Sequence, residues 1–249
     1  MMRWESIQKS LPDDIALKIA SLLQVGDLCA LGSCSRFWRE LCRSECLWES
    51  LTRERWPLLG FSGDCSSSST SIQSPFQGWR SFYIRNHNEM ASRAMEVVKF
   101  VEESSLSESL EVGDYLRTIT DLHAMQFGFK DVELLLLKPK LNALLNLIGI
   151  HYCINCLGVP AEDIVEALEQ SKISDRQVCV KWWKLGRWFY GFRMKDEARS
   201  RWVALVDMAL AKEEEVLAVL HRGAIHEVLR VQISLADPYC PSWISQSYY

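Results

Sequence analysis

The chain has 249 residues and is 48% hydrophobic, enough to bury a full core, which excludes wholesale disorder. Its net charge of −4 lacks the basic excess of a dedicated nucleic-acid binder. Nine cysteines, an odd number in a chain of this length, do not suggest a disulfide scaffold, and the opening MMRWESIQKSLPDD lacks the apolar run of a signal peptide. Reduced thiols, in cytoplasm or nucleus, are therefore expected.

The first predicted helix starts at Pro12, whose fixed φ suits a first helical position. Asp13 and Asp14 there place negative charge at the positive end of the helix dipole. Ile15, Ile19, Leu22 and Leu23 then repeat at helical spacing and form one apolar stripe. Gly26 is expected to stop this helix and Asp27 to cap a second that carries Leu28 and Leu31. A third holds Phe37, Trp38 and Leu41, and Ser44 is positioned to cap a fourth with Leu47, Trp48 and Leu51. Helices this short cannot bury so much Leu, Ile and Trp among themselves, so part of the apolar surface is expected to meet a partner.

The stretch from Leu11 to Pro57 resembles an F-box. Leu11-Pro12 with Asp14 and Ile15 is similar to the family's opening. Ile19, Leu22, Leu28, Leu31 and Trp38 fall where its apolar anchors fall, and Leu47-Trp48 is similar to its closing pair. Asp13-Asp14 stands where Glu is common, and Ser44-Glu45 where an Asp is common. The resemblance implies an adaptor of a cullin-RING ubiquitin ligase. The F-box would bind a Skp-type linker, and through it a cullin, with Leu11, Pro12, Ile15, Ile19, Leu22, Leu28, Leu31, Trp38, Leu47 and Trp48 as the contact residues. The remainder would hold a protein substrate, and the chain itself would perform no bond chemistry. The alternative is a structural or regulatory binder that pairs with the same linker without ubiquitin transfer.

The expected organisation is an F-box module over residues 1–57, a Ser-rich linker over 58–78, a helical substrate-binding domain over 79–236 and an aromatic tail over 237–249. The linker contains SGDCSSSSTSIQSPFQG, rich in turn formers and poor in apolar residues. Trp79, Phe82 and Tyr83 resume apolar spacing and are positioned to fold back on the F-box module as a buttress. Helices are predicted from Glu89 to Glu103 with Ala94, Val97, Val98 and Val101, and from Asp114 with Tyr115, Ile119 and Leu122. Val132–Leu137 fits either a strand or a helix. Pro139 fits the start of a long apolar helix ending before Gly158, and Pro160 opens one with Ile164, Val165 and Leu168. From Leu141 to Ala161 there is no charged residue, but Asn142, Asn146, His151 and Asn155 favour a buried core helix over a membrane span.

Ser174 to Gln177 has capping-box spacing and is read as opening a helix with Val178, Trp182, Leu185 and Phe189, broken at Gly191. Trp202, Leu205, Val206 and Ala209 fit another, and a helical pattern runs from Val216 to Val231. The fold class expected is thus all-α, and no Kelch, WD or leucine-rich repeat period occurs.

Two constellations could carry chemistry. His151, Cys153 and Cys156 form H-x-C-x-x-C, but zinc requires four ligands and no second pair exists, so neither metal nor cofactor is expected. Around Trp182–Trp202, aromatic residues interleave with Lys and Arg. The helical spacing of Trp182, Leu185 and Phe189 favours a packed core. A partner site there would use Trp183, Arg187 and Arg193, and the acidic whole-chain charge argues against nucleic acid. The tail DPYCPSWISQSYY is too apolar for an idle solvated end and is read as packing back in a groove of the domain, with Trp243 as a candidate substrate contact in the alternative reading.

Overall fold

The structure is a computed structural model that describes residues 11–57, 78–105, 109–222 and 228–235. The expected Ser-rich linker, apart from Gly78, and the aromatic tail with Trp243 lie outside the described residues. The chain divides into two compact units, Met1–Glu89 and Met90–Tyr249.

The first unit is built on four short helices: α1 (Asp13–Ser21), α2 (Val25–Cys34), α3 (Arg36–Leu41) and α4 (Glu45–Arg55). α1 ends earlier than expected, and Gly26 lies in the first turn of α2 rather than stopping a helix. A glycine weakens a helix interior most; in the first turn, where N–H groups lack intrahelical partners, it is tolerated. The early break also parts two neighbours: Leu23 packs on the core while Leu22 stays 80% exposed. Ser35 caps α3 by accepting the Trp38 backbone N–H at 3.3 Å.

The core of this unit is aromatic. Trp48 and Trp56 are buried, and Tyr83, from the first turns of α5 (Trp79–Ser104), lies between them with ring centroids 5.4 and 5.1 Å away. Arg55 donates to the Tyr83 hydroxyl at 2.8 Å and stacks its guanidinium 4.6 Å from the Trp56 ring centroid. Glu45 accepts the backbone N–H of Trp79. Gly78 precedes that residue at φ +84°, and a side chain there would run into the Glu45 carboxylate. Residues 79–83 therefore buttress the F-box-like helices.

The second unit overturns the all-α expectation. It holds an antiparallel four-stranded sheet in the order β1 (Ser109–Glu111), β6 (Val228–Leu235), β2 (Gln177–Lys184), β5 (Glu197–Ala204), and a separate hairpin of β3 (Trp188–Phe189) and β4 (Phe192–Arg193). The helix read from Val178 through Phe189 is the strand β2 followed by that hairpin. Val178, Val180 and Trp182 alternate onto one buried face, opposite Val203, Ile233 and Val231 of the neighbouring strands. Trp202 lies in β5, leaving Leu205–Ala209 as the short helix α10. The run from Val216 to Val231 divides into α11 (Glu214–Arg222) and β6.

The helices of this unit follow the sequence more closely. α6 (Val112–Ala124) buries Tyr115, Ile119 and Leu122, and the ambiguous run at Val132 belongs to α7 (Phe129–Leu135). α8 (Ala143–Tyr152) is buried on every side, as its all-round apolar composition requires. It starts at Asn142, whose side chain accepts the Leu145 N–H at 2.9 Å, and not at Pro139. A π-helical turn, Cys153–Leu157, extends it to Gly158 at φ +62°, and Pro160 precedes α9 (Ala161–Gln170). The buried Asn146 is satisfied: its amide donates to the Leu136 and Lys138 carbonyls, and its oxygen accepts from Arg176 at 2.7 Å. Among the described residues no helix is long and apolar enough to cross a membrane.

Candidate partner-binding face

α1 has two faces. Ala16 and Ala20 turn inward and are buried, while Ile15, Ile19 and Leu22 stay exposed at 46, 42 and 80%. Spacing i, i+4, i+7 aligns these three on one side of the helix. Pro12 lies exposed at the N-terminal end of the same helix, where its carbonyl accepts the Ala16 N–H at 3.0 Å; Leu11 beside it is half-buried. Small residues inward and large aliphatic residues outward reverse the usual arrangement of a surface helix, and the outcome is an apolar strip open to water.

The remaining expected contact residues divide differently. Leu28, Leu47 and Trp48 are buried within the unit's own core, and Leu31 is half-buried against it. The Trp48 indole donates to the Cys42 carbonyl at 2.8 Å, and Trp38 is half-buried with its ring 5.3 Å from that of Phe37. The residues expected to contact the linker thus divide into an exposed group on α1, a buried group that shapes the helices carrying it, and half-buried Leu11, Leu31 and Trp38. Among the cysteines described here, Cys29, Cys34 and Cys46 are exposed and Cys42 is buried, all as free thiols.

The candidate substrate contacts lie in the second unit. Trp183 is half-buried on β2, on the face opposite Trp182, between Lys181 Nζ at 5.0 Å and the Arg230 guanidinium at 5.4 Å from its ring centroid. Arg230 in turn pairs with Glu111, whose carboxyl is held below the usual carboxylate range chiefly by that hydrogen bond. Arg187 and Arg193 both lie at the base of the hairpin, on its two different arms. The Arg187 carbonyl accepts the Met194 N–H at 2.9 Å, and Arg193 pairs with Asp196 at 3.0 Å. The aromatic residues expected to pack inward here divide: Trp182 is fully buried, whereas Trp188, Phe189, Tyr190 and Phe192 are exposed. The signal for that division was Tyr190-Gly191 between Trp188-Phe189 and Phe192, a two-residue hairpin turn.

His151 and Cys153 are buried and Cys156 is exposed. Burial pushes the Cys153 thiol up to about 12, so it is protonated at neutral pH. Among the described residues no group of three or more His, Cys, Asp or Glu could hold a metal ion.

A family model described as F-box-like matches residues 9–54. No curated protein and no solved structure matches the chain. The matched span covers α1 to α3 and nearly all of α4, and so contains the exposed strip on α1. Such domains are protein–protein interaction modules and typically non-catalytic. Residues 9–54 thus form an F-box-like domain, and the family of the C-terminal half is not recognised.

Proposed function

We propose that the chain is a substrate-recruiting adaptor. Its F-box binds a Skp-type linker, the linker joins it to a cullin, and the second unit presents a protein substrate for ubiquitination. The observation that carries this reading is the strip Ile15, Ile19 and Leu22, exposed on α1 inside the F-box-like span. The adaptor's contribution is proximity: tethering the substrate to the machinery replaces a bimolecular encounter by an intramolecular one, with effective concentrations of order millimolar for short flexible links.

The test is a triple variant, Ile15→Ser with Ile19→Ser and Leu22→Ser. Burying each side chain on a partner is worth about 1.5–3 kcal/mol, so linker affinity should fall by roughly a hundredfold or more. The three are exposed, so stability should move by no more than about 0.5 kcal/mol per site. Unchanged capture of the linker by the triple variant overturns the assignment. Capture of the linker by the unaltered chain without any cullin would favour the structural or regulatory binder instead.

A further inference from the structure

The hairpin between β2 and β5 is built with care and then left in water. At its base, Gly186 passes so close to the Met194 carbonyl that any Cβ would collide with it. The Gly186 N–H donates to Asp196 Oδ1 at 2.8 Å, and Arg193 pairs with the same carboxylate. At its tip, Tyr190 (φ 48°) and Gly191 (φ 83°) form a two-residue turn with both φ values positive. For tyrosine this left-handed conformation is unfavourable, and burial does not offset it, because Tyr190 is 89% exposed. Beside it Phe189 and Phe192, paired across the hairpin and so on one face of it, are 64 and 78% exposed. A braced hairpin that displays aromatic side chains has already lost the freedom that binding would otherwise remove.

Charge identifies what it fits. Residues 181–202 carry seven Lys and Arg against Asp196 and Glu197, in a chain whose net charge is −4. Arg199 is already paired with Glu215 at 3.4 Å and Glu197 at 3.8 Å, whereas Lys195 and Arg201 make no ion pair among the described residues. The same strand supplies geometry: β5 is the outer strand of its sheet and pairs only with β2 among the described residues, and Glu197 to Trp202 are exposed.

We propose that β5 and the aromatic hairpin together dock an extended acidic peptide segment. The segment adds as a strand along β5, its acidic residues meet Lys195 and Arg201, and a large apolar side chain rests on Phe189 and Phe192. An adaptor's substrate would supply such a segment, and to that extent the inference rests on the proposed function; the docking itself requires neither linker nor cullin.

The experiment pans a randomised peptide display library on the full chain and measures the enriched peptide by fluorescence anisotropy. The expected consensus has Asp or Glu beside a large apolar residue, with affinity that falls as salt rises. Phe189→Ser with Phe192→Ser should weaken binding roughly tenfold or more, as loss of interface aromatics does. Arg201→Glu should also weaken it, and Gly186→Ala should do so while leaving every aromatic in place. All these variants should keep linker capture, which separates failure here from failure of the adaptor reading. No enrichment, a consensus without acids, or affinity indifferent to the hairpin variants overturns the proposal. Tighter hairpin-dependent binding of single-stranded oligodeoxynucleotide or of anionic lipid vesicles overturns it as well.

Discussion

Trp48→Ala is expected to unfold the first unit and to abolish linker binding without touching any residue a linker could reach first. Trp48 is 2% exposed, and its ring lies edge-on to Tyr83 in a cluster completed by Leu28, Leu47 and Trp56. Its indole N–H satisfies the Cys42 carbonyl, where the chain turns from α3 toward α4. Truncation to alanine leaves a cavity and removes that bond, for a loss of roughly 3–5 kcal/mol. A core this small rarely supplies more than about 3–5 kcal/mol in total, so the loss consumes the stability of the unit. Hydrogen exchange resolves the outcome: amides of α1 to α4 should lose protection while those of α8 keep theirs. Retained protection across α1 to α4 would contradict it. The α1 strip behaves in the opposite way, since Ile15→Ser should lose the partner and keep the fold. Leu28, Leu47 and Trp48 are hence expected to act through folding, and Ile15, Ile19 and Leu22 through contact.

That division marks how far the sequence reading could reach. The F-box-like helices were legible because capping residues, an aliphatic stripe and a Leu-Trp pair lie within a few dozen residues of one another, where local spacing determines structure. Spacing alone does not say which member of an apolar set faces inward: Ala16 and Ala20 fill the core while the larger Ile15 and Ile19 do not. The sheet was illegible for another reason. Val178, Trp182, Leu185 and Phe189 stand at helical intervals, and Val178, Val180 and Trp182 also alternate, so one stretch satisfies both periods. The β-branched and aromatic enrichment of VCVKWWK, and Tyr190-Gly191, favour the strand. The alternation of Val231, Ile233 and Leu235 with Arg230, Gln232 and Ser234 gives β6 the same signature. Reading one helix from Val216 to Val231 concealed it. β1, three residues long, is defined only by pairing with β6 more than a hundred positions away, and local spacing cannot contain such information.

Lowering the pH from about 7 to about 4 is expected to destabilise the second unit by about 3 kcal/mol through one residue, His151. Its ring is buried on α8, and its Nδ1 lies 2.8 Å from the Tyr115 hydroxyl of α6. Burial, with the neighbouring His221 ring at 6.0 Å adding a second cation-disfavouring influence, lowers its pKa from 6.5 to about 4. The unfolded chain takes up its proton as the pH falls below 6.5, whereas the folded chain resists until about 4. The neutral ring's contribution is therefore fully present above the unfolded value. It declines through the window between the two values and is gone below the lower one. Carboxylates titrate across the same window, so the measurement compares urea unfolding of the unaltered chain with that of His151→Gln. Glutamine retains a polar group for Tyr115 and cannot become charged. The unaltered chain should lose about 3 kcal/mol more than the variant between pH 7 and pH 4. Parallel stability curves for the two would show that His151 is protonated as readily in the folded chain as in the unfolded one. The Tyr115 hydroxyl would then face an imidazolium, and the packing of α6 against α8 would have to accommodate a charge.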